Sequence, residues 1–491
     1  MIDTKAIRSK ILDLAIRGKL TEQLPEDGTA EELYQQIQQE KQALIKSGKI
    51  KKEKPLPEIA EDEIPFEIPD SWKWVRLGLL SNQITDGTHK TPTYVKEGIP
   101  FLSVKNISAG CLDLTDIKFI PQNEHEELIK RCRPEKNDIL FCRIGTLGRA
   151  LRIDTDLEFS IFVSLGLIKT DNEELSNHIV YVINSEYGSN WIQSVKAGGA
   201  MHAYKINLTD LNMFPIPLPP FAELGRIAEK IEQAFSVLDT IDELQAKYAD
   251  NLTVLKNKLI DLAIRGKLTE QLPEDGTAEE LYQQIQAEKQ ALIKTGKIKK
   301  EKPLPEIEDD EIPFEIPDSW KWIRWGNVVN IVSARRVHQS DWRESGVPFY
   351  RAREIARLAE DGFVKNDLYI SEELYAEFSK SGVPHADDLM VSAVGTLGRT
   401  YVVKEGERFY YKDASVLCFE NFGKVNPHFL AYAMKSNMMR QQIDINSGGT
   451  TVDTLTMVRM IKYLLPLPPL AEQKRIVERL NQILAVCDEM R

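Results

Sequence analysis

The sequence predicts a mixed α/β chain of two globular bodies joined by long antiparallel coiled-coil helices, and three observations carry that expectation. Residues 12–78 recur at 260–326 with differences at only seven of 67 positions, namely 12, 39, 47, 60, 61, 75 and 77. Apolar residues from Leu224 to Leu262 make eleven steps in 38 residues, about 3.45 each, close to the 3.5-residue period of a coiled coil. Between the repeats, roughly 80–220 and 328–466, short β-like runs alternate with helical ones, and these two stretches share little beyond length. One chain therefore holds two near-identical connectors and two divergent bodies.

Residues 1–70 comprise an N-terminal helix, a short capped helix and a tether. Thr29 and Glu32 form a Thr-x-x-Glu capping box and Gly48 closes the helix. The following KIKKEKPLPEI and DEIPFEIPDSW segments are charged and Pro-rich, and read as extended tethers rather than structure. Residues 71–217 form the first body, with strand-like FLSVKNI (101–107), DILFCRI (138–144) and FSIFVSLGLI (159–168), and helices near 123–132 and 173–196. Residues 218–266 are the central helix, entered after Pro219-Pro220 and closed by Gly266. Its seam carries Leu224, Ile227, Ile231, Leu238, Leu252, Leu255 and Leu259, and residues 222–265 would span roughly 66 Å at ~1.5 Å per residue.

Residues 267–318 repeat 19–70, including the Thr277/Glu280 box and Gly296. Residues 319–466 form the second body, with VPFYRAREI (347–355), DLMVSAV (388–394) and ASVLCFE (414–420), and helices near 371–380 and 427–445. Residues 467–491 are a C-terminal helix whose Ile476 and Leu480 repeat the start of the central one, while Ile7 and Ile11 repeat its end. The simplest geometry brings the two termini together as a second long helix, antiparallel to the first, in a cyclic pseudo-twofold arrangement.

Composition narrows the function. With 42% hydrophobic and 28% charged residues among 491, the chain reads as soluble and globular, with two to four domains. No apolar run reaches the roughly 18 residues of a membrane span, and MIDTKAIRSK lacks a secretory core, so no membrane association is expected. Cys111, Cys132, Cys142, Cys418 and Cys487 are odd in number and hold no Cys-x-x-Cys pair, which points to a cytoplasmic chain without a disulfide framework. There is no P-loop and no Gly-x-Gly-x-x-Gly, and the seven histidines are scattered. Pro-Leu-Pro-Pro-Phe lacks the Asn or Asp of the amino-methyltransferase motif. No catalysis, metal or cofactor is expected of this chain itself.

Binding is expected instead. Gly-Thr-Leu-Gly-Arg occurs in each body, setting Thr146 and Arg149, or Thr396 and Arg399, beside glycines that admit another backbone, with Arg143 just before the first turn. Such turns suit phosphate oxygens, and arginine also forks onto guanine, although a plain hairpin turn explains either copy alone. Early loops of the first body offer Thr88, His89, Lys90, Thr91, Lys105 and Asn106; the second offers Arg335, Arg336, His338, Arg351 and Arg353. Gly-Gly loops bring His202 and Lys205 in one body, and Thr450 and Thr451 in the other. Parts alike in both halves should meet one component twice, and parts that differ should meet a ligand with two unlike ends. Duplex DNA with two different half-sites is such a ligand.

The stretches PLPPLAEQKRIVERL (466–480) and PLPPFAELGRIAEKI (217–231), with LAIRGKLTEQ at 14–23 and 262–271, carry a family resemblance. With the doubled body-plus-helix layout, the whole chain resembles the specificity (S) subunit of type I restriction–modification enzymes. The resemblance implies that each body is a target recognition domain for half of a split double-stranded DNA site. It also implies that the helices set the spacer and bind two methyltransferase (M) subunits, with motor-nuclease (R) subunits joining. Adenine methylation, S-adenosylmethionine, ATP and Mg²⁺ would belong to those partners. The first copy departs from the pattern, with Leu224-Gly225 where the second has Gln473-Lys474. Two rivals are a two-headed coiled-coil adaptor for proteins and a fused restriction-class enzyme. The net charge of −12 lies mostly in segments 1–70 (−4) and 267–318 (−7), while bodies 71–217 and 319–466 carry −1 and +2. Near-neutral bodies predict weak DNA binding by the chain alone.

Overall fold

The computed structural model describes residues 1–490 except 53, 171, 200, 201, 301, 381, 396 and 446–453. The chain divides into two units, Met1–Gln245 and Ala246–Arg491. The 44-residue helix Phe221–Ile264 gives its first part to one unit and its last part to the other.

In the first unit, strand Lys73–Arg76 pairs antiparallel with Pro215–Leu218, so the chain leaves the body where it entered. Prolines suit this two-stranded ribbon because they have no N–H to give to a further strand. A four-stranded sheet follows in the order Gln83–Asp86, Leu165–Lys169, Ile139–Cys142, Ala150–Arg152. Ile139, Phe141 and Ile168 point to a core shared with Leu175, Ile179, Val182 and Ile183 of the helix Glu173–Asn184. Their neighbours Leu140, Cys142, Leu165 and Leu167 point the other way, toward Leu102 and Ile161 of a three-stranded sheet. Strand alternation thus buries both faces, which explains the continuous apolar runs in the sequence.

The second unit repeats this plan. Its ribbon joins Lys321–Arg324 to Leu464–Leu467. Its four-stranded sheet runs Val329–Ser333, Val416–Asn421, Leu389–Ser392, Thr400–Val402. Two α/β bodies and long helices, as expected, make up the chain.

Several boundaries differ from expectation, each for a local reason. FLSVKNI ends as a strand at Leu102, because the Asn106 side chain accepts from Ser103 N (2.9 Å) and turns the chain into the 3-10 segment Val104–Asn106. In the second body the same place becomes the helix Ala352–Asp361, started by the Glu354 carboxylate accepting from Arg351 N (3.0 Å). The helical stretch 173–196 breaks at Ser185, whose hydroxyl donates to Val182 O (2.7 Å) and accepts from Gly188 N (3.1 Å).

The tethers are docked rather than free. Arg76, buried, donates to Pro57 O (3.3 Å) and Glu58 O (3.0 Å) and forks onto Glu63 at 2.8 and 2.7 Å. Arg324 repeats this on Pro305 O, Glu306 O and Glu311. A second anchor explains the Pro-Pro-x-Ala-Glu stretch. Buried Glu223 accepts from Trp72 Nε1, Thr21 Oγ1 and Gln23 Nε2, all at 2.7 Å. Glu472 accepts in the same way from Trp320, Thr269 and Gln271 at 2.8–2.9 Å. One turn on, Arg226 forks onto Asp27 and Arg475 onto Asp275, which lowers both carboxyl pKa values. Each long helix thereby clamps its own copy of LTEQLPED. Gly18 and Gly266 take φ of +66° and +68° at that junction, where a Cβ would lie 2.4–2.5 Å from Pro69 or Pro317.

Within each unit the helix pairing is antiparallel, but its seam is shifted from the expected one. Leu224, Ile227, Ile231 and Leu238 are buried as read. The N-terminal helix Thr4–Ile16, however, buries Leu12, Ala15 and Ile16, leaving Ile11 part-buried and Ile7 40% exposed. Ile2 N donates to Gln245 Oε1 (2.5 Å), Thr4 Oγ1 to Asp242 (2.6 Å) and Arg8 to Asp239 (2.8 Å) along the pair. The second unit shows the same shift: Ile260, Ala263 and Ile264 join Ile476 and Leu480, and Leu252 is buried. Leu259 is only part-buried and Leu255 is 44% exposed. Each terminal helix faces the body as well as the central helix, so its apolar stripe turns toward both.

No helix among the described residues is long and apolar enough to cross a membrane. All five cysteines are free. No group of three or more His, Cys, Asp or Glu among the described residues is placed to hold a metal ion.

Candidate nucleic-acid interface

In the first unit, segments far apart in sequence meet at one end of the four-stranded sheet. Arg143 N donates to Ser164 O (3.0 Å), Ile206 N to Arg143 O (3.0 Å), and Val104 N to Ser164 Oγ (3.1 Å). Ile144 and Lys205 face each other in a β-bridge, so strand His202–Lys205 lies beside the Gly-Thr-Leu-Gly-Arg turn. Thr88 bridges to Phe162 of the same cluster. The early loop, the 3-10 turn, the glycine turn and the Gly-Gly hairpin therefore share one surface.

The glycine turn is a tight hairpin between Ile139–Cys142 and Ala150–Arg152, closed by Cys142 N to Arg149 O (2.8 Å) and Gly148 N to Cys142 O (3.0 Å). Gly148 has φ +81°, and a Cβ there would meet Ile192 at 2.7 Å, so the turn requires glycine. Thr146 and Arg149 stand exposed on it, with Arg149 lying over Gly110. Lys105, Arg149 and Lys205 are exposed and make no ion pair among the described residues. Lys196 sits 4.5 Å from the ring centre of exposed Tyr204. Lys90 and Thr91 are exposed as well, and Thr88 is part-exposed.

Two residues expected to reach a ligand do not. Arg143 is buried: Nε donates to Ile206 O (3.2 Å) and Nη1 to the Asp86 carboxylate. Burial pushes its guanidinium pKa down. Asn106 is buried too, with its amide spent on Ser103 N, Asp113 O (3.0 Å) and Asp116 O (3.4 Å). Both residues build the surface from beneath.

The second unit brings its counterparts together similarly. Leu455 N donates to Ala393 O (2.9 Å) and Val394 bridges to Thr454, beside the turn closed by Gly398 N to Ser392 O (2.9 Å). Thr396, Thr450 and Thr451 lie outside the described residues. The exposed cations here mostly carry carboxylate partners. Arg399 pairs with Glu360 (3.3 Å), and Arg335 with Glu377 (3.2 Å) while lying 4.5 Å over the Phe378 ring. Arg351 and Arg353 both hold buried Glu354 at 2.9 Å. Burial alone would raise that carboxyl, but the two guanidinium groups overcome it and bring it to about 2. Arg336 and His338 are exposed, and Arg336 makes no ion pair among the described residues.

Sequence reasoning missed Arg131 and Lys196, and it placed Asp86 and Tyr204 in their loops without finding the hub that Asp86 forms. Asp86 receives Arg131, Arg143 and His89, and it is the hub of the first surface. Comparing the halves could have exposed it only with the right register. Asp86 stands opposite Gly166, which faces Phe141; in the second sheet Ser333 stands opposite Leu417, which faces Val391. Ser333 and Ala393 thus occupy the places of Asp86 and Arg143, one and two residues away, respectively, from the 248 offset.

The exposed groups of the two surfaces differ, while the anchors that carry them are duplicated. The model of the type I restriction modification DNA specificity domain matches residues 69–248 and again 317–490. Similar proteins include the type I restriction enzyme EcoAI specificity subunit of Escherichia coli, 28% identical over 99% of this chain and 90% of that one. The EcoEI specificity subunit of the same species is 26% identical over the same shares. A chain from a structure of the assembly and conformational transition of the type I R-M system aligns at TM-score 0.54 and 17% identity. That alignment covers 87% of this chain and 93% of the other, a likeness of fold. With one match in each unit and most of its length covered, the chain belongs to the type I restriction–modification DNA specificity family.

Proposed function

We propose that this chain is the DNA-specificity subunit of a type I restriction–modification complex. Each unit reads one half of a bipartite, asymmetric site in double-stranded DNA, and the helices set the distance between the halves. The observation that carries this is the contrast within one fold. The converging loops present Lys105, Arg149, Lys205 and Tyr204 in one unit and Arg336, Arg353 and Arg399 in the other. The clamps on Glu223 and Glu472 are the same. Two methyltransferase subunits dock on the duplicated parts, and motor-nuclease subunits complete the complex. S-adenosylmethionine, ATP and Mg²⁺, with adenine methylation and DNA cleavage, belong to those partners, and the complex works in the cytoplasm. Near-neutral bodies leave much of the phosphate neutralisation to the partners. The test is a gel shift of the chain with its methyltransferase subunit on DNA of varied sequence. A sequence-selective shift is expected, and a shift indifferent to sequence would return the adaptor reading.

A further inference from the structure

The Asp86 hub has an exposed tip. The Asp86 side chain is 4% exposed and that of His89 is 63% exposed, yet His89 Nε2 lies 2.9 Å from Asp86 Oδ2. The same carboxylate receives Arg131 Nη2 on Oδ1 and Arg143 Nη1 on Oδ2. A carboxyl group holding two guanidinium groups is ionised and only accepts hydrogen bonds. In the neutral imidazole, Nε2 must therefore carry the proton, which leaves Nδ1 with a lone pair and no partner among the described residues.

The backbone holds this tip in place. At Gly87 an added Cβ would lie 2.1 Å from Ile161 O, so the chain runs against its neighbour there. Thr88 N then donates to Ile161 O (3.0 Å), and Val163 N donates to Thr88 O (2.9 Å). The Thr88 hydroxyl donates to Lys90 O (3.1 Å), closing the loop around His89.

We propose that Asp86 is a positioning residue and His89 a specificity-determining one, whose Nδ1 accepts a hydrogen bond from the exocyclic amino group of a base in the major groove. Adenine N6 and cytosine N4 offer that donor, whereas guanine O6 and N7 and thymine O4 present only acceptors. Ser333 and Ala393 supply no such hub in the second unit, so the preference belongs to the first half-site. The inference rests on reading the first unit as a half-site reader.

The chain with its methyltransferase subunit is tested on duplexes randomised across both half-sites. His89→Ala should reduce, about tenfold, the preference for an amino-bearing base at one position of the first half-site, with the second half-site unchanged. In ¹⁵N-histidine-labelled chain, the resonance lost in His89→Ala should show the Nε2–H form, and Asp86→Asn should mix the two tautomers. An Nδ1–H form in the native chain overturns the inference. So does a first half-site unaltered by His89→Ala while native selectivity is intact. A native complex without sequence selection overturns instead the half-site reading beneath it.

Discussion

Glu223 is fully buried and holds three donors from the connector, so removing its carboxylate strands Trp72, Thr21 and Gln23 together. Glu223→Ala should lower the stability of the first unit by about 3 kcal/mol in urea melts, the range for losing a buried charged acceptor. Glu223→Gln, which keeps one acceptor, should cost less. His178 offers a pH signature. Burial pushes its imidazole down to about 4, with Nε2 donating to Pro217 O (2.7 Å), so the folded unit keeps it neutral. The unfolded chain takes up that proton below about 6.5, so the stability is complete above that pH and is lost as pH falls toward 4. Burial also raises Asp138 and Asp388 to about 6, and these groups act in the opposite sense between about pH 4 and 6. His178→Gln isolates the term: between pH 7 and 4.5 the native chain should lose about 2 kcal/mol relative to the variant in matched urea melts. None of these three burials was legible from residue type, because lone histidines and carboxylates are usually solvated.

At the scale of elements, the glycine turn is both things the sequence allowed: a hairpin that requires Gly148, and a platform exposing Arg149. Arg149→Ala should weaken binding of the assembled complex about equally on all sequences and reduce its salt-dependence slope by about one, measured by titration at several salt concentrations. A change in base preference would instead make Arg149 a reader. The central strands Ile139–Cys142 and Leu389–Ser392 and the capped helices were legible from apolar runs and caps, whereas the entry ribbons and the helix Ala352–Asp361 were not. Nor was it legible where a run changes partner. FSIFVSLGLI looks like one strand, yet Ser160–Ile161 pairs parallel with Ile99–Leu102, while Leu165–Lys169 joins the four-stranded sheet. The tethers misled for a related reason. Their composition is that of free chain, but Arg76 and Arg324 arrive from strands more than ten residues away to fix their carbonyl groups.

For the whole molecule, the duplication separates what should change together from what should not. Exchanging residues 319–466 for another body should alter one half-site only, read by methylation mapping of host DNA. A heptad inserted between Gln245 and Ala246 leaves each unit's own helix pairing intact. By ~1.5 Å per residue it adds roughly 10 Å, about three base pairs, so the preferred spacer should lengthen with unchanged half-sites. Altered half-sites with an unchanged spacer would end the ruler model.

Taken alone, the sequence determined the duplication, the α/β class, the long helices and the family likeness, because these rest on repetition and periodicity, which are local or self-referential. The tertiary structure decided which candidates face outward. Arg143 and Asn106 carry side chains as polar as those of Arg149 and Lys105, but the pleat and the turn direct them inward onto Asp86 and the 103–116 backbone. Side-chain direction depends on register, and register is set by partners dozens of residues away.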